Sequence, residues 1–217
     1  MTMSGTMSGK ITTSDLEFAS LVSSKICHDV IGPVGAIFNG LEVLAEGGDE
    51  KSKAYALETI RDYTELAKAK LQFARFAFGA AGSAGSAIDL TNAKGLAIDY
   101  VGGAKHKLVW SVPAGFMPKD RVKLLLNIIA IAINALPRGG EITASLVGTL
   151  EKPKFVVKCV GQAARAPQHL VEFMRGQNQP ALDAMTIQAY YICRLADACG
   201  MRLDVTMAGT DVMISAE

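Results

Sequence analysis

The sequence predicts an α+β protein in two parts: an antiparallel helical hairpin that pairs with a second copy as a four-helix bundle, followed by an α/β sandwich. Three observations support this prediction. Apolar residues recur every three or four positions through residues 14–45 and 50–78, the period of helices that bury one face. Small residues fill 79–86, and helix-like and strand-like patterns then alternate to the end of the chain. We therefore expect a disordered start at 1–13, a hairpin at 14–78, a linker at 79–87 and a sandwich at 88–217.

The first helix has a start and a stop signal. Thr13 or Ser14 can cap it, and Gly47-Gly48 suits a left-handed cap and a tight turn into the second helix. Because a lone hairpin cannot cover its own apolar face, we expect a homodimer. An intramolecular bundle would need two more amphipathic helices of similar length, and none is evident. The apolar seams comprise Ile26, Val30, Val34 or Pro33, Ile37, Leu41 and Leu44 in the first helix, and Leu57, Ile60, Thr64, Ala67, Leu71, Ala74 and Phe78 in the second.

The second part is expected to contain four helices and five strands. Helices against a mixed sheet make an α/β sandwich. The predicted helices are 89–101, 118–136, 167–174 and 180–198, and the predicted strands are 107–112, 141–147, 154–160, 202–207 and 211–215.

Composition excludes several classes of function. With 22 basic and 21 acidic side chains the net charge is +1, so no bulk basicity indicates nucleic acid. The four cysteines form no C-x-x-C pair, which disfavours a zinc site and indicates buried thiols in a reducing compartment. The longest apolar run, 124–136, is too short to span a bilayer. We therefore expect a cytoplasmic protein that binds neither nucleic acid nor membrane.

His28 is the candidate reactive residue. At about 100° per residue it lies about 200° round the helix from both Ile26 and Val30, so its imidazole points to solvent. Asp29 is adjacent, and Gly32-Pro33 follows one turn later. An exposed imidazole nitrogen can attack an aspartyl phosphate. The neighbouring Asp29 carboxylate can hydrogen-bond the other ring nitrogen or a nearby donor, and so favour the reactive tautomer.

The His-acid-x-x-x-Pro pattern resembles the phospho-acceptor box of two-component sensor kinases. The longer string from Cys27 to Leu41 is similar to the ChpT family of histidine phosphotransferases, and the resemblance covers residues 14–217. It implies a phosphorelay protein of cell-cycle regulation that moves a phosphoryl group between receiver-domain aspartates through phospho-His28, without ATP. The implied partners are a hybrid histidine kinase and response regulators. This chain would hold no cofactor, and magnesium would come with the receiver.

Receiver contacts are expected on the exposed face around His28 and near the start of the second helix. Related kinases carry a water-orienting Thr or Asn where this chain has Gly32, so we expect slow loss of phosphate. The other two histidines, His106 and His169, lie outside any motif. The expected contact residues are Ser24, Lys25, Ile31, Gly32, Gly35, Ala36, Asn39 and Tyr55.

The second part resembles the ATP-binding (Bergerat) domain of histidine kinases, with a degenerate nucleotide site. Asn134 stands where that family holds magnesium, but Ala130 replaces the second polar side chain one turn earlier. Val160 replaces the adenine-binding Asp, although Gly161 remains. The glycine-rich phosphate stretch is replaced by residues 185–187, which contain no glycine. We therefore expect a vestigial site at Asn134, Val160 and Gly161 that does not bind ATP productively.

Two other functions remain open. The protein could be an active histidine kinase with a divergent nucleotide site, which requires ATP binding. It could also be a non-catalytic dimer that binds a regulator, in which case His28 would be dispensable. An ATP titration separates the first alternative from phosphotransfer, and His28→Ala in a transfer assay separates the second.

Overall fold

The computed structural model describes residues 2–4, 13–79, 87–103, 105–176 and 179–217, with the backbone alone for 2–4. The predicted disordered start, apart from residues 2–4 and 13, and most of the predicted linker at 79–87 lie outside these ranges. Thr2–Ser4 form a strand, β1, where disorder is expected. It pairs with the strand Leu203–Ala208, which would otherwise be a sheet edge, and free backbone groups at an edge pair with any extended segment.

The hairpin consists of α1, Asp15–Glu46, and α2, Glu50–Ala77. Ser14 Oγ accepts a hydrogen bond from the Glu17 amide at 3.2 Å, and Gly47 ends α1 with φ of 78°. Asp49 caps α2 by accepting from the Ser52 amide at 2.7 Å. These caps satisfy amides that a helix end leaves unpaired, so the sequence signals for the hairpin are confirmed.

The sandwich follows α2 and consists of four helices and seven strands among the residues described. They are β2 Ala87–Asp89, α3 Leu90–Val101, β3 His106–Ser111, β4 Phe116–Pro118, α4 Lys119–Ala132, β5 Gly140–Gly148, β6 Pro153–Val160, α5 Gln168–Arg175, α6 Ile187–Ala198, β7 Leu203–Ala208 and β8 Asp211–Ala216. The main sheet has six strands in the order β1-β7-β8-β6-β5-β3, and only β3 and β5 pair in parallel within the part of the chain described. A small second sheet pairs β2 with β4.

Two features of the sandwich differ from the sequence expectation. The last helix, α6, begins at Ile187 rather than near Pro180, because Asp183 and Thr186 close a hydrogen-bonded turn before it. The strands β2 and β4 are three residues each, too short to give a period-2 pattern. Since β2 starts at Ala87, the sandwich begins inside the predicted linker.

The hairpin and the sandwich share one hydrophobic core. Phe73 and Ala77 of α2 are buried among residues of α3 and α4. The ring of Phe18 in α1 lies 6.3 Å from Tyr190 and 5.7 Å from Tyr191 of α6, measured between centroids. The sandwich therefore covers one side of the hairpin as part of the same packed unit.

The opposite side of the hairpin carries exposed apolar side chains. Val34, Phe38 and Leu41 of α1, and Leu57 and Leu71 of α2, are all exposed. These side chains belong to, or flank, the predicted seams.

By length and mean hydropathy, α1 also meets the criteria for a candidate membrane span. A single such helix near the N-terminus is weak evidence for a span, because helices that pack in protein cores meet the same criteria.

Candidate functional site

His28 lies near the middle of α1 with its side chain 58% exposed. Nδ1 is 3.7 Å from Asp29 Oδ1, which is within the range of an ion pair but too long for a hydrogen bond. No hydrogen bond or ion pair involves Nε2 within the described part of the chain. The predicted exposure of the imidazole is therefore present, and Asp29 accepts no hydrogen bond from Nδ1.

Asp29 instead pairs with Lys25. Lys25 Nζ donates to Asp29 Oδ2 across one turn of α1 in a short ion pair, with the two side chains 12% and 21% exposed. The sequence places Lys25 among the receiver contacts, and it is less exposed than most of them. It lies about 60° round the helix from His28, on the side of Asp29 and of the sandwich, where its ammonium is engaged and largely covered.

The sandwich lies on the covered side of this ion pair. The ring of Tyr100 in α3 stacks on Phe73 of α2, with centroids 3.9 Å and planes 25° apart. Burial, and secondly the negative charge of Asp29, raise the pKa of the Tyr100 hydroxyl. Tyr100 therefore presents a neutral side chain to the Lys25–Asp29 pair.

The remaining expected contact residues fall into two groups. Residues Ser24, Ile31, Gly32, Gly35 and Asn39 are exposed on the His28 side of α1, and Ala36 is half-buried. A Cβ built on Gly32 or Gly35 meets no atom within 4 Å, so the backbone beside the imidazole is open. Tyr55 is exposed but stands apart. Because its neighbour Ala56 packs opposite Gly40, it lies roughly 18 Å along the hairpin from His28.

A cleft of 520 Å³ opens on the sandwich where the sequence predicts the nucleotide site. Asn134, in a 3-10 turn after α4, and Met185 line it together with Gln188. Val160 and Gly161 are outside its lining. Gly161 packs against backbone, since a Cβ there would lie 2.4 Å from Gly139 O, and this close approach requires a glycine whether or not a nucleotide binds.

The loop before α6 is closed by a carboxylate. Asp183 Oδ1 accepts hydrogen bonds from the amides of Met185 at 2.8 Å and Thr186 at 2.9 Å. These hydrogen bonds, the Thr186 amide foremost, lower the pKa of Asp183. The amides that precede α6 thus already hold a negative charge, in the segment 185–187 where the sequence predicts a lost phosphate stretch.

The two histidines of the sandwich have ordinary local partners. His106 Nε2 is 3.0 Å from Leu136 O, and His169 Nδ1 is 3.1 Å from Glu172 Oε2. Both side chains border the cleft, as do Lys105 and Arg165. No group of histidines, cysteines and carboxylates that could hold a metal ion occurs among the residues described.

Sequence reasoning missed Asn127, which is fully buried in α4. Its Nδ2 donates to Ala77 O at 3.3 Å and to Lys123 O at 2.9 Å, and Gln188 Nε2 is 3.5 Å from its Oδ1. It thereby joins the last turn of α2 to α4 and α6. An amide in the middle of the apolar run 124–136 was the available signal, because a buried polar side chain requires partners.

The cysteines also differ in part from expectation. Cys159 and Cys193 are buried, and burial raises the pKa of each thiol to about 12, so both are inert at neutral pH. Cys27, next to His28, is exposed.

Comparisons with known proteins agree on one family. The family model described as "Histidine phosphotransferase C-terminal domain" matches residues 90–211. Protein phosphotransferase ChpT of Brucella abortus (strain 2308) is 41% identical over 212 residues, covering 97% of this chain and 100% of that protein. A solved bacterial phosphotransferase is 39% identical, with a TM-score of 0.88 over 97% of this chain and 100% of that one. The histidine kinase AdeS of Acinetobacter baumannii matches at 12% identity, over 87% of this chain and 95% of that one, with a TM-score of 0.46, too distant to add to this agreement.

Proposed function

Because this chain belongs to the histidine phosphotransferases, we propose that it is a phosphorelay carrier in which His28 receives a phosphoryl group from one receiver domain and passes it to another. The observation that carries this proposal is the exposed imidazole of His28, with Nε2 unengaged in the described residues and Nδ1 facing Asp29. The family assignment supports the class of reaction, and this geometry supports His28 as the acceptor.

The chemistry requires one nucleophile. The lone pair of Nε2 attacks the phosphorus of a receiver's aspartyl phosphate, the bond from phosphorus to the carboxylate oxygen breaks, and the carboxylate leaves with the electron pair. The phosphorylated imidazole carries a positive charge, and the negative charge of Asp29 at 3.7 Å stabilises it. The second receiver reverses these steps. Magnesium bound to the receiver would offset the phosphoryl charge, so this chain needs no cofactor of its own.

The surface around His28 suits the docking of a receiver domain. Gly32 and Gly35 leave space beside the ring, and the exposed Ile31 offers an apolar anchor on the same side of α1. We propose as partners the receiver domains of a hybrid histidine kinase and of response regulators in cell-cycle control. Such partners imply a cytoplasmic protein.

The exposed apolar side of the hairpin supports a homodimer. Five side chains there, those of Val34, Phe38, Leu41, Leu57 and Leu71, are about half exposed or more. Two hairpins that pair through this side bury them all and complete a four-helix bundle.

We propose that the reaction does not use ATP bound to this chain. Asp183 occupies the amides before α6, Ala130 and Val160 cannot supply the polar contacts of a kinase, and Gly161 has a packing role. The alternative of an active kinase requires a nucleotide in the cleft beside Asn134, with its phosphates held by other groups than the amides that Asp183 engages. The alternative of a non-catalytic regulator-binding dimer leaves the exposure of His28 without a role.

The deciding experiment uses a receiver domain labelled with ³²P on its aspartate, mixed with this protein in the absence of ATP. Transfer of label to the wild type and not to His28→Ala supports the relay. His169→Ala, an exposed histidine of α5, is the matched control and should accept label normally. Label from ATP alone would establish the kinase alternative, and receiver binding without any label on His28 would establish the regulator-binding alternative.

A further inference from the structure

Lys25 and Asp29 form an ion pair directly beside the acceptor histidine. Both side chains are largely covered, so solvent and salt screen their attraction less than at the surface. Lys25 engages Oδ2 of the carboxylate, and Oδ1 faces His28 Nδ1 at 3.7 Å. The charge of Asp29 is thus divided between a close ammonium and a more distant imidazole.

We propose that Lys25 is a positioning residue that holds the Asp29 carboxylate short of a hydrogen bond with His28 and so leaves the Nε2 lone pair available to attack phosphorus. This inference rests on the proposed role of His28 as phosphoryl acceptor.

The reason lies in the requirements of a two-way carrier. A carboxylate fully hydrogen-bonded to Nδ1 makes an imidazole more basic, and a proton then occupies the Nε2 lone pair that must attack phosphorus. The same hydrogen bond would stabilise the positive phosphoimidazole and slow the transfer to the next receiver. A carboxylate partly neutralised by Lys25 still faces Nδ1 but has a smaller effect on the basicity of the ring.

The groups around His28 leave Lys25 as the residue that can set this balance. Tyr100 of α3 stacks on Phe73. Burial and the negative charge of Asp29 raise the pKa of its hydroxyl, so this side chain stays neutral. No charged group of α2 pairs with His28 or Asp29 in the described ranges. Lys25 and Asp29, both on α1, are therefore the charges that act on the ring at close range.

The first test measures His28 without any receiver. The protonation midpoint of its imidazole is followed by ¹⁵N NMR in wild type and Lys25→Met, with the signal assigned by its loss in His28→Ala. Methionine keeps the covered aliphatic stem of Lys25, and circular dichroism verifies that the helices persist. We expect the midpoint to rise by roughly half a pH unit, at the low end for an opposite charge at this distance because the ring is partly exposed.

A double-mutant cycle separates positioning from simple charge repulsion. Lys25→Met in an Asp29→Asn background should shift the midpoint by less than half as much, since no carboxylate remains to be released. An equal shift in both backgrounds, or no shift in Lys25→Met alone, overturns the inference.

The second test is the pH profile of phosphoryl transfer. Lys25→Met should move the rising limb to higher pH by the same amount as the NMR midpoint, and Lys25→Arg should restore the wild-type profile because it keeps the ion pair. A rate loss in Lys25→Met that is uniform across pH indicates a docking role and contradicts the proposal. Transfer that persists in His28→Ala contradicts the proposed function of His28 instead. In that case the NMR measurement alone decides whether Lys25 affects the protonation of His28.

Discussion

The ring of Phe73 in α2 lies face to face with the ring of Tyr100 in α3, 3.9 Å away between centroids. Phe73 is almost completely buried, so this contact belongs to the hairpin and the sandwich alike. It joins two residues on either side of the predicted linker. Packing in the shared core therefore determines how the hairpin is oriented on the sandwich.

Phe73→Ala should lower the free energy of unfolding by about 3–5 kcal/mol, because it leaves a large cavity between the two parts. Denaturation by urea, followed by circular dichroism, measures the loss. Phe116→Ala makes the same change at an exposed side chain, and should cost less than about 1 kcal/mol. Equal losses in the two variants would contradict a shared core.

Gly40 is a point of close approach between α1 and α2. A Cβ there would lie 2.7 Å from Ile60 Cγ1 and 3.3 Å from Ala56 O. Gly40→Ala should destabilise the protein by about 1–3 kcal/mol through overpacking, despite the higher helix propensity of alanine. Gly35→Ala, where nothing lies within 4 Å, should instead be neutral or stabilise by up to about 1 kcal/mol. Thermal unfolding of the two variants and the wild type measures both effects.

Gly32, one turn after His28, carries no side chain that could orient water. Gly32→Asn adds such a side chain in open space, and we expect the phosphorylated protein to lose phosphate several-fold faster. The loss of ³²P from isolated phosphoprotein measures this rate. Gly35→Asn adds the same amide at an equally open position two turns beyond His28, about 10 Å along the helix axis, and should hydrolyse at the wild-type rate. Faster loss in both variants would mean that the position of the added amide is irrelevant.

Leu41 tests the dimer. Leu41→Glu places a charge on the exposed apolar side of α1, where burying an unpaired carboxylate costs about 3 kcal/mol or more. Light scattering at micromolar concentration should show a dimer for the wild type and a monomer for the variant. Val147→Glu, at an exposed strand residue of the sandwich, should remain dimeric. A monomeric wild type would contradict the proposed four-helix bundle.

Asp183 gives a pH dependence of stability. Hydrogen bonds from the amides of Thr186 and Met185 lower its pKa in the folded state, so its contribution is present above the unfolded value of about 4 and is lost as pH falls through the lower folded pKa. Asp183→Ala should cost about 1 kcal/mol or less at pH 7, because solvent screens an exposed carboxylate. The difference from wild type, measured by urea denaturation, should shrink towards zero in acid.

The control for this pH dependence is Asp62→Ala, at an exposed carboxylate of α2. It should change the free energy of unfolding little at either pH. A cost of Asp183→Ala that does not vary with pH would assign the effect to lost packing.

The hairpin and the acceptor were predictable because their signals are local. Ser14 and Gly47 mark the ends of α1, and the position of His28 opposite Ile26 and Val30 predicts its exposure. The family assignment, which the comparisons confirm, also came from contiguous residues. The Lys25–Asp29 pair was equally local, at the i, i+4 spacing of a helical ion pair, although the sequence left open whether Asp29 engages His28 or another donor.

The rest depends on contacts between distant parts of the chain. Nothing near Phe73 or Ala77 specifies that they pack on α3 and α4, and Asn127 reveals only that a partner must exist. The helical pattern predicts too early a start for α6, because Asp183 and Thr186 satisfy backbone groups through side chains, which such a pattern does not register.

The bond from Asn127 to the last turn of α2 also bears on how the protein can be divided. A cut at residue 79 would expose Phe73 and Ala77 to water and remove the Ala77 carbonyl, one of the two acceptors of Asn127 Nδ2. The hairpin should therefore not fold stably when it is moved alone into another protein, and fusions that carry it alone should aggregate. Selection would therefore keep a sandwich that has no catalytic role, because the helix that carries His28 has no stable fold without it.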